Sequence, residues 1–458
     1  MAEQWLTAYA EWLDAGIALA QSNQFEAAIE KYDAAIRLAP TLSPGYINRA
    51  LAFASLRRHA DALVDLNRSI ELQPTLAIAY NNRGTVLRAL GDVDAAAQDY
   101  LKAIELAGDA AVDAHGNLAT YYFDTKQYEM ACTLYEKAIA VQPNYARTHW
   151  NFGMCLLLLG DLTRGWQEYH WRWQVPSYRA AHRCFDVPMW LGQTSLNGRT
   201  ILLQAEQGFG DMIQFCRYGT LAAALGARVL LEVQAGLVEL CKSVDGVSEV
   251  FAINDPLPSF DFYCPMMSLP FAFATTLETI PAPNQYLTCE PTKVQKWQAK
   301  LGAKTKPRIG IVWSTDLQHQ SSQSRSVPLD VFVQTLSNEY EFVSLQRMTW
   351  PRDMPAMTSL VIRRFEADLL DFSETAALCE CMDVVVSVDT SVAHLAGALG
   401  KPVCILLHAN SDWRWLLNRS DSVWYPSAKL YRQEKMFEWD GVLASLRTDI
   451  ARRFTGAS

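Results

Sequence analysis

Apolar and polar positions in the first third of the chain follow a helical period, and the whole pattern recurs at a regular, longer interval. Pro40 and Pro74 lie one such interval apart, and each ends a similar phrase, AAIRLAP and RSIELQP. Small and large residues alternate at regular places in this pattern. The small ones are Gly16, Ala28, Ala35, Gly84, Ala96 and Ala103, and the large ones are Phe25, Tyr32, Tyr100, Tyr128 and Tyr135. Because a small residue on one helix admits a bulky residue from the next, the pattern predicts stacked helical hairpins.

This pattern resembles the tetratricopeptide repeat (TPR), whose length of about 34 residues matches the interval between the two prolines. The fourth repeat ends at Pro143, one position late after an insertion near Gly108, and a fifth begins at about Ala146. The fifth repeat ends in the phrase WRWQVPSYR, and we expect its second helix to cap the array. We therefore predict a TPR α-solenoid of four to five helix pairs over residues 1–175, followed by a linker over 176–198.

A solenoid of this kind has a concave face that suits an extended peptide or another subunit. Asparagines recur near the inner helices and could hydrogen-bond a peptide backbone, or could be solvated surface amides. They are Asn48, Asn81, Asn82, Asn117 and Asn151. An array that serves only as a packing platform, or for self-association, is an equal alternative.

The period of the pattern changes at Arg199. TILLQAE predicts a strand, MIQFCRYGTLAAALG a helix and RVLLEV a second strand, which is the βαβ unit of a parallel sheet. A second series begins with RIGIVWS and includes a helix over 328–338 and the strand phrase SLVIRR. We predict two Rossmann-type α/β halves, 199–285 and 286–458, with a cleft between them and the final helix packing back across the first half.

Composition narrows the possible function classes. Half of the 458 residues are hydrophobic and 19% are charged, so the chain can bury several cores. The formal charge of -9 argues against nucleic acid or an anionic membrane surface as a main partner. No basic signal segment and no run of about 18 apolar residues occurs, so we expect a cytoplasmic protein that is not integral to a membrane. Cys379 and Cys381 lack the spacing of zinc or redox sites and are expected to be buried thiols.

The phrase EQGFGD, residues 206–211, lies directly between the first predicted strand and its helix. Glycines in such a place allow a tight turn with backbone close to a ligand. Gln207, Gly208 and Gly210 are therefore candidates for a loop that lines the cleft, and Asp211 falls at the start of the helix. The alternative is that this aspartate only caps the helix.

A second phrase, SVDTSVAHLAGALGKPV, runs from the end of a predicted strand into a helix. Asp389 ends the strand, Thr390 and Ser391 begin the helix, and these three residues and His394 are candidates for donor binding. Free backbone amides at a helix N-terminus, with two hydroxyls beside them, make a diphosphate cradle that needs no metal. The alternative, which this segment alone favours, is a capped helix with His394 as an internal histidine.

Together the two segments resemble the heptosyltransferase-related glycosyltransferases of the GT-B fold, and the TPR-fused branch of that family in particular. The segments are G-x-G-D after the first strand and D-T-S-x-x-H-L-A-G-A-L-G-K-P late in the chain. The phrases PMWLGQ, LLQAEQGFGDMIQFCRY, GIVWS, RSVPL and SLQ also resemble that branch. TPR-fused transferases similar to the O-linked N-acetylglucosamine enzyme fit less well, because their late glycine- and histidine-rich pattern is not matched.

The resemblance implies an inverting, metal-independent transfer of a sugar from a nucleotide-sugar donor. Asp211 matches the aspartate that serves as general base and takes the proton of the acceptor hydroxyl. Thr390 and Ser391 would meet the charge of the departing diphosphate, together with a cation. Arg325 lies where relatives carry a phosphate-binding basic residue, or is an ordinary surface arginine.

Other candidates for donor binding rest on their place at strand ends. Ser314 follows the strand GIVW and could touch phosphate. Ser344 and Gln346 end the next strand, where GT-B proteins usually hold the base and ribose. Asp371 and Thr375 either line the same pocket or cap a helix.

Two further observations bear on the site. Trp413, Arg414 and Trp415 are unusual in a loop and form either a pocket wall or a buried domain seam. The D-x-D pair Asp92 and Asp94 lies in a TPR turn, so we expect no metal site and no cofactor other than the donor itself.

The first α/β half is short beside that of relatives acting on lipopolysaccharide, which puts a lipid A-core acceptor in doubt. The leading hypothesis is a glycosyltransferase whose acceptor is a protein, a peptide or a small carrier-linked molecule, presented by the TPR array. One alternative is a TPR scaffold with an inactive transferase-like domain, and another is a transferase acting on a surface polysaccharide. Self-association into a homo-oligomer stays open.

Overall fold

The computed structural model describes residues 2–315, 322–333, 337–358 and 362–455. They form two compact units that divide between Cys155 and Leu156. The first unit is helical, and the second contains two parallel sheets with helices between the strands. The predicted fold class, a TPR α-solenoid followed by two α/β halves, is confirmed.

Helices of the solenoid follow one another in pairs, as the repeat predicts. Their bounds are α1 Ala2–Gln21, α2 Phe25–Leu38, α3 Ser43–Ser55, α4 His59–Leu72, α5 Ala77–Leu90, α6 Val93–Ala107, α7 Val112–Asp124, α8 Tyr128–Val141 and α9 Ala146–Leu159. The two helices of a pair are joined by tight turns, and Gly91, at φ 91°, ends α5 in the left-handed region where glycine is favoured.

The alternation of small and large residues packs the helices of a pair together. A Cβ atom added to Gly16 would lie 2.4 Å from Cε1 of Tyr32, and one added to Gly84 would lie 2.6 Å from Cε1 of Tyr100. Both tyrosine rings are buried, as are the predicted alanines between them. The pairing of small with large residues is therefore confirmed, because only glycine lets these rings lie against the facing helix.

Arginine clamps recur along the solenoid with the period of the repeat. Arg49 of α3 donates to Asp33 of α2 at 2.5 Å and to Asp65 of α4 at 2.6 and 2.7 Å. Arg83, at the same place one repeat later, makes the same paired contact with Asp99, at 2.7 Å from both guanidinium nitrogens involved. Each clamp joins helices that are close in sequence, so it reinforces the stacking of neighbouring repeats.

Short helices connect the strands of the second unit. Their bounds are α10 Leu162–His170, α11 Pro176–Ala180, α12 Phe209–Phe215, α13 Tyr218–Ala224, α14 Val238–Cys241, α15 Leu269–Ala272, α16 Pro291–Leu301, α17 Ser322–Arg325, α18 Leu329–Val333, α19 Met354–Thr358, α20 Phe372–Glu380, α21 Ser391–Ala398 and α22 Asp440–Thr455. Positions 334–336 of the predicted helix 328–338, and 359–361 of the phrase SLVIRR, lie outside the described residues.

The first sheet contains β1 Thr200–Gln204, β2 Arg228–Val233, β3 Val247–Ala252 and β4 Phe262–Pro265. Its strand order is β3-β2-β1-β4, and all pairings are parallel. The chain therefore proceeds outward from β1 to β3 and then crosses to the other side of β1. The loop after β1, which carries the EQGFGD phrase, lies at this reversal.

The second sheet contains β5 Arg308–Val312, β6 Glu341–Ser344, β7 Ile362–Arg363, β8 Val384–Val388, β9 Val403–Leu407 and β10 Ala428–Arg432. Its order is β10-β9-β8-β5-β6-β7, again all parallel. Strands β5, β8 and β9 are buried along their whole length, as expected for apolar runs with helices on both faces. The order reverses between β5 and β8, where the dinucleotide-binding fold opens a crevice for ligands.

The segment predicted as a linker, 176–198, packs on the first sheet. It contains α11, and Met189 forms a parallel bridge with Tyr263 of β4. Phe185 and Val187 contact the buried cluster around Leu202. Helix α10, predicted as the end of the solenoid, belongs to the second unit, because Trp166 donates a hydrogen bond of 3.1 Å to the carbonyl of Thr275.

The final helix, α22, packs on its own half rather than back across the first. Leu446 and Ile450 lie beside Ile309 of β5 along one groove, and Asp449 accepts a hydrogen bond of 2.6 Å from Lys429 of β10. The apolar stripe of α22 is thus used by the second sheet, which the sequence pattern did not reveal.

Candidate functional site

A cavity of about 580 Å³ opens at the carboxyl ends of β5, β6 and β8. It lies where the strand order of the second sheet reverses. Predicted residues that line it are Ser314, Gln346, Asp371, Thr375, Thr390 and Ser391. Phe209 and Gly236 of the first half complete the wall, so both halves of the α/β unit contribute to this one cavity.

Thr390 and Ser391 bring the N-terminus of α21 to the cavity. Thr390 adopts an extended conformation as the N-cap, and Ser391 is the first helical residue. The hydroxyl of Thr390 lies 3.1 Å from that of Ser387, at the end of the buried strand β8. The first backbone N–H groups of a helix carry partial positive charge, so this end of the cavity favours an anion.

The buried Asp389 pairs with the partly exposed Arg325 behind this turn. The Arg325 guanidinium donates to the backbone carbonyl of Asp389 and lies 3.4 Å from its carboxylate. Burial raises the pKa of Asp389, and the charge of Arg325 opposes that rise. Neither side chain is among the described residues that line the cavity, so the pair supports the turn that presents Thr390.

Gln346 braces the ends of β5 and β6. Its Oε1 accepts the N–H groups of Trp313 at 2.7 Å and Ser314 at 2.9 Å, and its Nε2 donates to Ser314 Oγ and to the Met348 carbonyl, both at 3.0 Å. All four contacts use the full capacity of one amide. Gln346 therefore lines the cavity without a free group for a ligand, whereas the hydroxyl hydrogen of Ser314 is still available to donate.

Ser344 lies beneath the cavity. It is fully buried, and its Oγ accepts a hydrogen bond of 3.3 Å from the Gln346 backbone N–H. Ser344 is not among the described residues that line the cavity, so its contact with the donor stays a prediction.

Asp211 lies at the seam between the two halves. Its Oδ2 accepts the N–H of Gly208 at 2.9 Å, which makes it part of the cap of α12, and its Oδ1 accepts from the guanidinium of Arg414. Burial raises the pKa of Asp211, and Arg414 opposes that rise. Phe209, two positions earlier, lines the cavity, whereas Asp211 lies beside it and contacts the second half.

Gly210 allows the two predicted motifs to meet. A Cβ atom placed on Gly210 would lie 2.8 Å from Cδ2 of His394 and 3.6 Å from the Cα of Ser391. The start of α12 therefore contacts the start of α21 directly. This is the structural reason for a glycine immediately before Asp211, because a larger residue would separate Asp211 from the α21 N-terminus.

His394 is an internal histidine. Its Nδ1 is hydrogen-bonded to the Tyr425 hydroxyl at 2.8 Å, and its ring stacks on Trp415 with centroids 5.4 Å apart. Burial, followed by the nearby charge of Arg414, holds its pKa well below the usual value. The ring is therefore neutral and supports α21 from within, rather than facing the cavity.

The loop that carries Gln207 is anchored on its other side by a buried ion pair. Gln207 Nε2 donates to the Tyr169 hydroxyl at 3.3 Å, and its carbonyl accepts from Gln234 at 2.5 Å. The preceding Glu206 is 2.8 Å from the Arg172 guanidinium, and both side chains are almost fully buried. The conformation of the loop is thus fixed by α10, by the turn that follows it and by Gln234.

Both interpretations of Asp371 hold, because it caps α20 and also lines the cavity. Its carboxylate accepts the N–H groups of Ser373 at 2.8 Å and Glu374 at 3.1 Å and the Ser373 hydroxyl at 2.6 Å. Burial alone would raise the pKa of Asp371, but these bonds, the hydroxyl most of all, lower it. The Thr375 hydroxyl donates to the Asp371 carbonyl at 3.2 Å.

Trp413 and Trp415 are buried at the seam rather than exposed in the cavity wall. Trp413 meets Trp166 edge to face, with ring centroids 5.2 Å apart. Arg414 between them is also buried.

Sequence reasoning did not select several residues of the cavity wall. Phe209 and Phe372 contact each other with ring centroids 4.9 Å apart, and both line the cavity, as do Met348 and Glu366. For Phe209, the available signal was its place within the GFGD phrase, whose neighbours Gly208 and Gly210 were already candidates for the cleft loop.

Matches to protein families agree with this division of the chain. Residues 13–77 and 75–143 match tetratricopeptide repeats, and residues 367–424 match glycosyltransferase family 9 (heptosyltransferase). The chain therefore contains TPR repeats and a segment that is similar to part of family 9. That segment contains the α20 cap, the turn at Thr390 and the loop of Arg414, so it coincides with one side of the cavity and the seam.

Protein FlbA of Caulobacter vibrioides (strain ATCC 19089 / CIP 103742 / CB 15) is 26% identical over 64% of this chain. The match spans 53% of FlbA, so the chain covers about half the length of this curated relative. Among solved structures, MamA is 20% identical over 36% of this chain and 97% of its own, with a TM-score of 0.30. The second TPR of Spaghetti (RPAP3), bound to the HSP90 peptide SRMEEVD, is 25% identical over 23% of this chain and 98% of its own, with a TM-score of 0.22.

Two kinds of feature are absent from the part of the chain that the structure describes. Within the described ranges, no helix is both long and apolar enough to cross a membrane. The same ranges contain no group of three or more His, Cys, Asp or Glu side chains placed to hold a metal ion.

Proposed function

We propose that the α/β unit transfers a sugar from a nucleotide-sugar donor to an acceptor hydroxyl. The observation that carries this proposal is the cavity at the reversal of the second sheet, with the N-terminus of α21 at one end. A donor there would place its diphosphate against the Thr390 and Ser391 amides and hydroxyls. The Ser314 hydroxyl would donate to an oxygen of the same group.

The proposed transfer inverts the configuration at the anomeric carbon. The acceptor oxygen attacks that carbon from the face opposite the diphosphate, and Asp211 takes the hydroxyl proton as the new bond forms. The bond from the anomeric carbon to the diphosphate oxygen breaks, and its electrons stay on the diphosphate. The α21 N-terminus stabilises the added charge, so we propose that the reaction needs no metal ion.

Calorimetric titration of the purified full chain with UDP, GDP, ADP, CMP and dTDP tests the donor site. We expect saturable binding of one of them, lost in the double variant Thr390→Ala/Ser391→Ala. Ser445→Ala/Thr448→Ala, which changes two exposed hydroxyls of α22, is the matched control and should bind normally. Binding of none of the five would favour the inactive scaffold.

We propose that the TPR solenoid presents a protein or peptide acceptor. Asn48, Asn82, Asn117 and Asn151 follow one another at the interval of the repeat, with a single extra position before Asn117, so they occupy the same place in successive repeats. The side-chain nitrogen of Asn82 is buried without a hydrogen-bond partner in the described structure, and an amide in such a row can both donate to and accept from an extended backbone.

Labelled sugar from the donor identified above tests the acceptor class. Presentation of the acceptor by the solenoid would be supported if sugar is transferred to a protein fraction and if Asn82→Ala/Asn117→Ala reduces this transfer while hydrolysis of the donor is unchanged. Transfer to a polysaccharide fraction instead would support the alternative acceptor. Activity that is lost on treatment with a chelator would contradict the proposal of metal independence.

A further inference from the structure

We propose that Arg414 is the positioning residue for Asp211, and that its guanidinium, carried by the second α/β half, fixes the carboxylate that takes the acceptor proton. This inference rests on the proposed function, because it concerns the base of that reaction. Arg414 follows β9 in a loop of the half that also provides the cavity.

The guanidinium of Arg414 joins two successive turns of α12. Its Nη2 donates to Asp211 Oδ1, and its Nε donates to Gln214 Oε1 at 2.6 Å. Asp211 and Gln214 are three residues apart and lie on one side of the helix. A planar guanidinium bonded to both residues fixes the rotation of α12 about its axis as well as the direction of the carboxylate.

Arg414 is itself held in place by its own half. Its Nη1 donates to Asp412 Oδ1 at 2.9 Å, and its guanidinium carbon lies 4.3 Å from the centre of the Trp413 ring. Asp412 also accepts the Arg414 backbone N–H at 3.0 Å. Because these contacts fix the side chain independently of Asp211, the position of the carboxylate is set relative to the second half.

The charges around Asp211 make this contact necessary for a base. Burial is the main effect that disfavours the ionised form of Asp211, and Asp412 and Glu206 add to it, whereas Arg414 and the Gly208 N–H favour the ionised form. Glu206 is already paired with Arg172. Arg414 is therefore the cation that opposes burial at this carboxyl, and a carboxyl that kept its own proton could not accept another.

The Asp211 carboxylate keeps acceptor positions that the reaction can use. Asp211 uses one lone pair of Oδ1 for Arg414 and one of Oδ2 for Gly208 N–H, and a carboxylate has about two acceptor positions on each oxygen. A second position on either oxygen is thus available to the acceptor hydroxyl. The contact with Arg414 directs the carboxylate without occupying it fully.

A purely structural seam contact is the competing explanation, and it makes a different prediction. A brace that only holds the halves together would, when removed, lower stability and reduce activity in the same proportion at every pH. A positioning residue for the base would also move the acid limb of the pH profile and would lower kcat with little change in KM for the donor.

The test is donor hydrolysis, with water as acceptor, by the full chain and its variants between about pH 4.5 and 8. UDP-glucose, GDP-mannose, ADP-glucose and dTDP-glucose are the probes, chosen by the nucleotide that binds. Arg414→Met should lower kcat at least about tenfold and shift the acid limb upward by about one pH unit, since removal of the cation favours the protonated carboxyl. Asp211→Asn should abolish hydrolysis.

Arg414→Lys keeps the charge and separates positioning from folding. An ammonium cannot reach Asp211, Gln214 and Asp412 together, so we expect kcat to fall about tenfold with KM and the acid limb near those of the natural chain. Arg419→Met removes an arginine of the same half that pairs with Asp421 at 2.7 Å on the surface, and it should leave hydrolysis unchanged.

Two results would overturn the inference. The first is an Arg414→Met variant whose acid limb is at the same pH as that of the natural chain. The second is an Arg414→Lys variant with an unchanged kcat, and this second test is decisive even if the methionine variant does not fold. Absence of hydrolysis and transfer by the natural chain with every donor would instead contradict the proposed function. The two failures are therefore distinguishable.

Discussion

Arginine side chains of the solenoid join helices that are neighbours in sequence, whereas the buried arginines of the α/β unit join segments that are far apart in sequence. Arg49 and Arg83 each contact partners 16 residues away, and both are partly exposed. Arg217 instead reaches the carbonyl of Trp424 at 2.7 Å, 207 residues later, from a fully buried position. Arg172 and Arg414 are buried in the same way.

The difference shows how the two regions distribute their stability. In a solenoid, each clamp has an equivalent in the next repeat, so the loss of one leaves most of the array intact. In the α/β unit, the buried arginines Arg172 and Arg414 each pair with a carboxylate, so removal of either leaves an unpaired charge in the interior.

The largest effect is expected for Arg172→Met. Loss of this guanidinium leaves Glu206 buried and uncompensated, so the free energy of unfolding of the α/β unit should fall by about 3–5 kcal/mol. Urea unfolding followed by tryptophan fluorescence measures it. The double variant Arg172→Met/Glu206→Gln should recover part of the loss, and a double variant as unstable as the single one would contradict the role of the unpaired charge.

A smaller loss, about 1–3 kcal/mol, is expected for Gly210→Ala, because the new Cβ would meet the stacked ring of His394. Nucleotide binding and activity should fall with it, since α12 would move away from α21. Gly84→Ala is the matched change in the solenoid. Its clash with Tyr100 should cost a similar amount of stability, but nucleotide binding should be unchanged, so a loss of binding in Gly84→Ala would contradict the contrast.

Acid should destabilise the α/β unit through two histidines, the half-buried His170 and the buried His394. Burial lowers the pKa of His170 from 6.5 to about 4 and holds that of His394 well below 6.5. The unfolded state then binds more protons, so the stability that each neutral ring provides is complete above about pH 6.5 and is lost as the pH falls, by up to about 1.4 kcal/mol per pH unit.

Urea unfolding at several pH values from 7.5 to about 5 measures this slope. The variants His170→Asn and His394→Gln should each flatten it, whatever their stability at neutral pH. A slope that is the same in both variants as in the natural chain would exclude these two rings as the cause.

The smallest effect is expected for Arg83→Met in the solenoid. Its ion pair with Asp99 is partly exposed to solvent, so we expect a loss of about 1 kcal/mol. Hydrogen exchange of amides in α5 and α6 measures it locally. A loss comparable to that of Arg172→Met would contradict the view that repeated local clamps are individually weak.

Local regularity explains what could be predicted from the sequence. The period of the repeat, the small-to-large pairing at Gly16 and Tyr32, and the buried runs of β5 and β8 are signals carried by adjacent residues. The phrases whose residues line the cavity, such as the turn at Thr390, are also continuous in sequence.

Contacts between distant segments could not be predicted in this way. The pattern of residues 408–416 does not show that Arg414 bonds Asp211, because 203 residues separate them. Gln346 follows a strand as expected, but only the fold shows that its amide is fully used by Trp313, Ser314 and Met348. From the sequence alone, the apolar stripe of α22 could pack on either half. Its contact with the second sheet depends on the order of the strands in that sheet.

The position of a bound nucleotide tests the central claim most directly. Hydrogen exchange of the full chain, measured with and without the nucleoside diphosphate that binds, reports which backbone amides it covers. We predict slower exchange at Ser391 and Val392 of α21 and at Ser314 after β5, with the helices of the solenoid unchanged. Protection confined to the solenoid, or to α22, with none at these strand ends, would contradict the account.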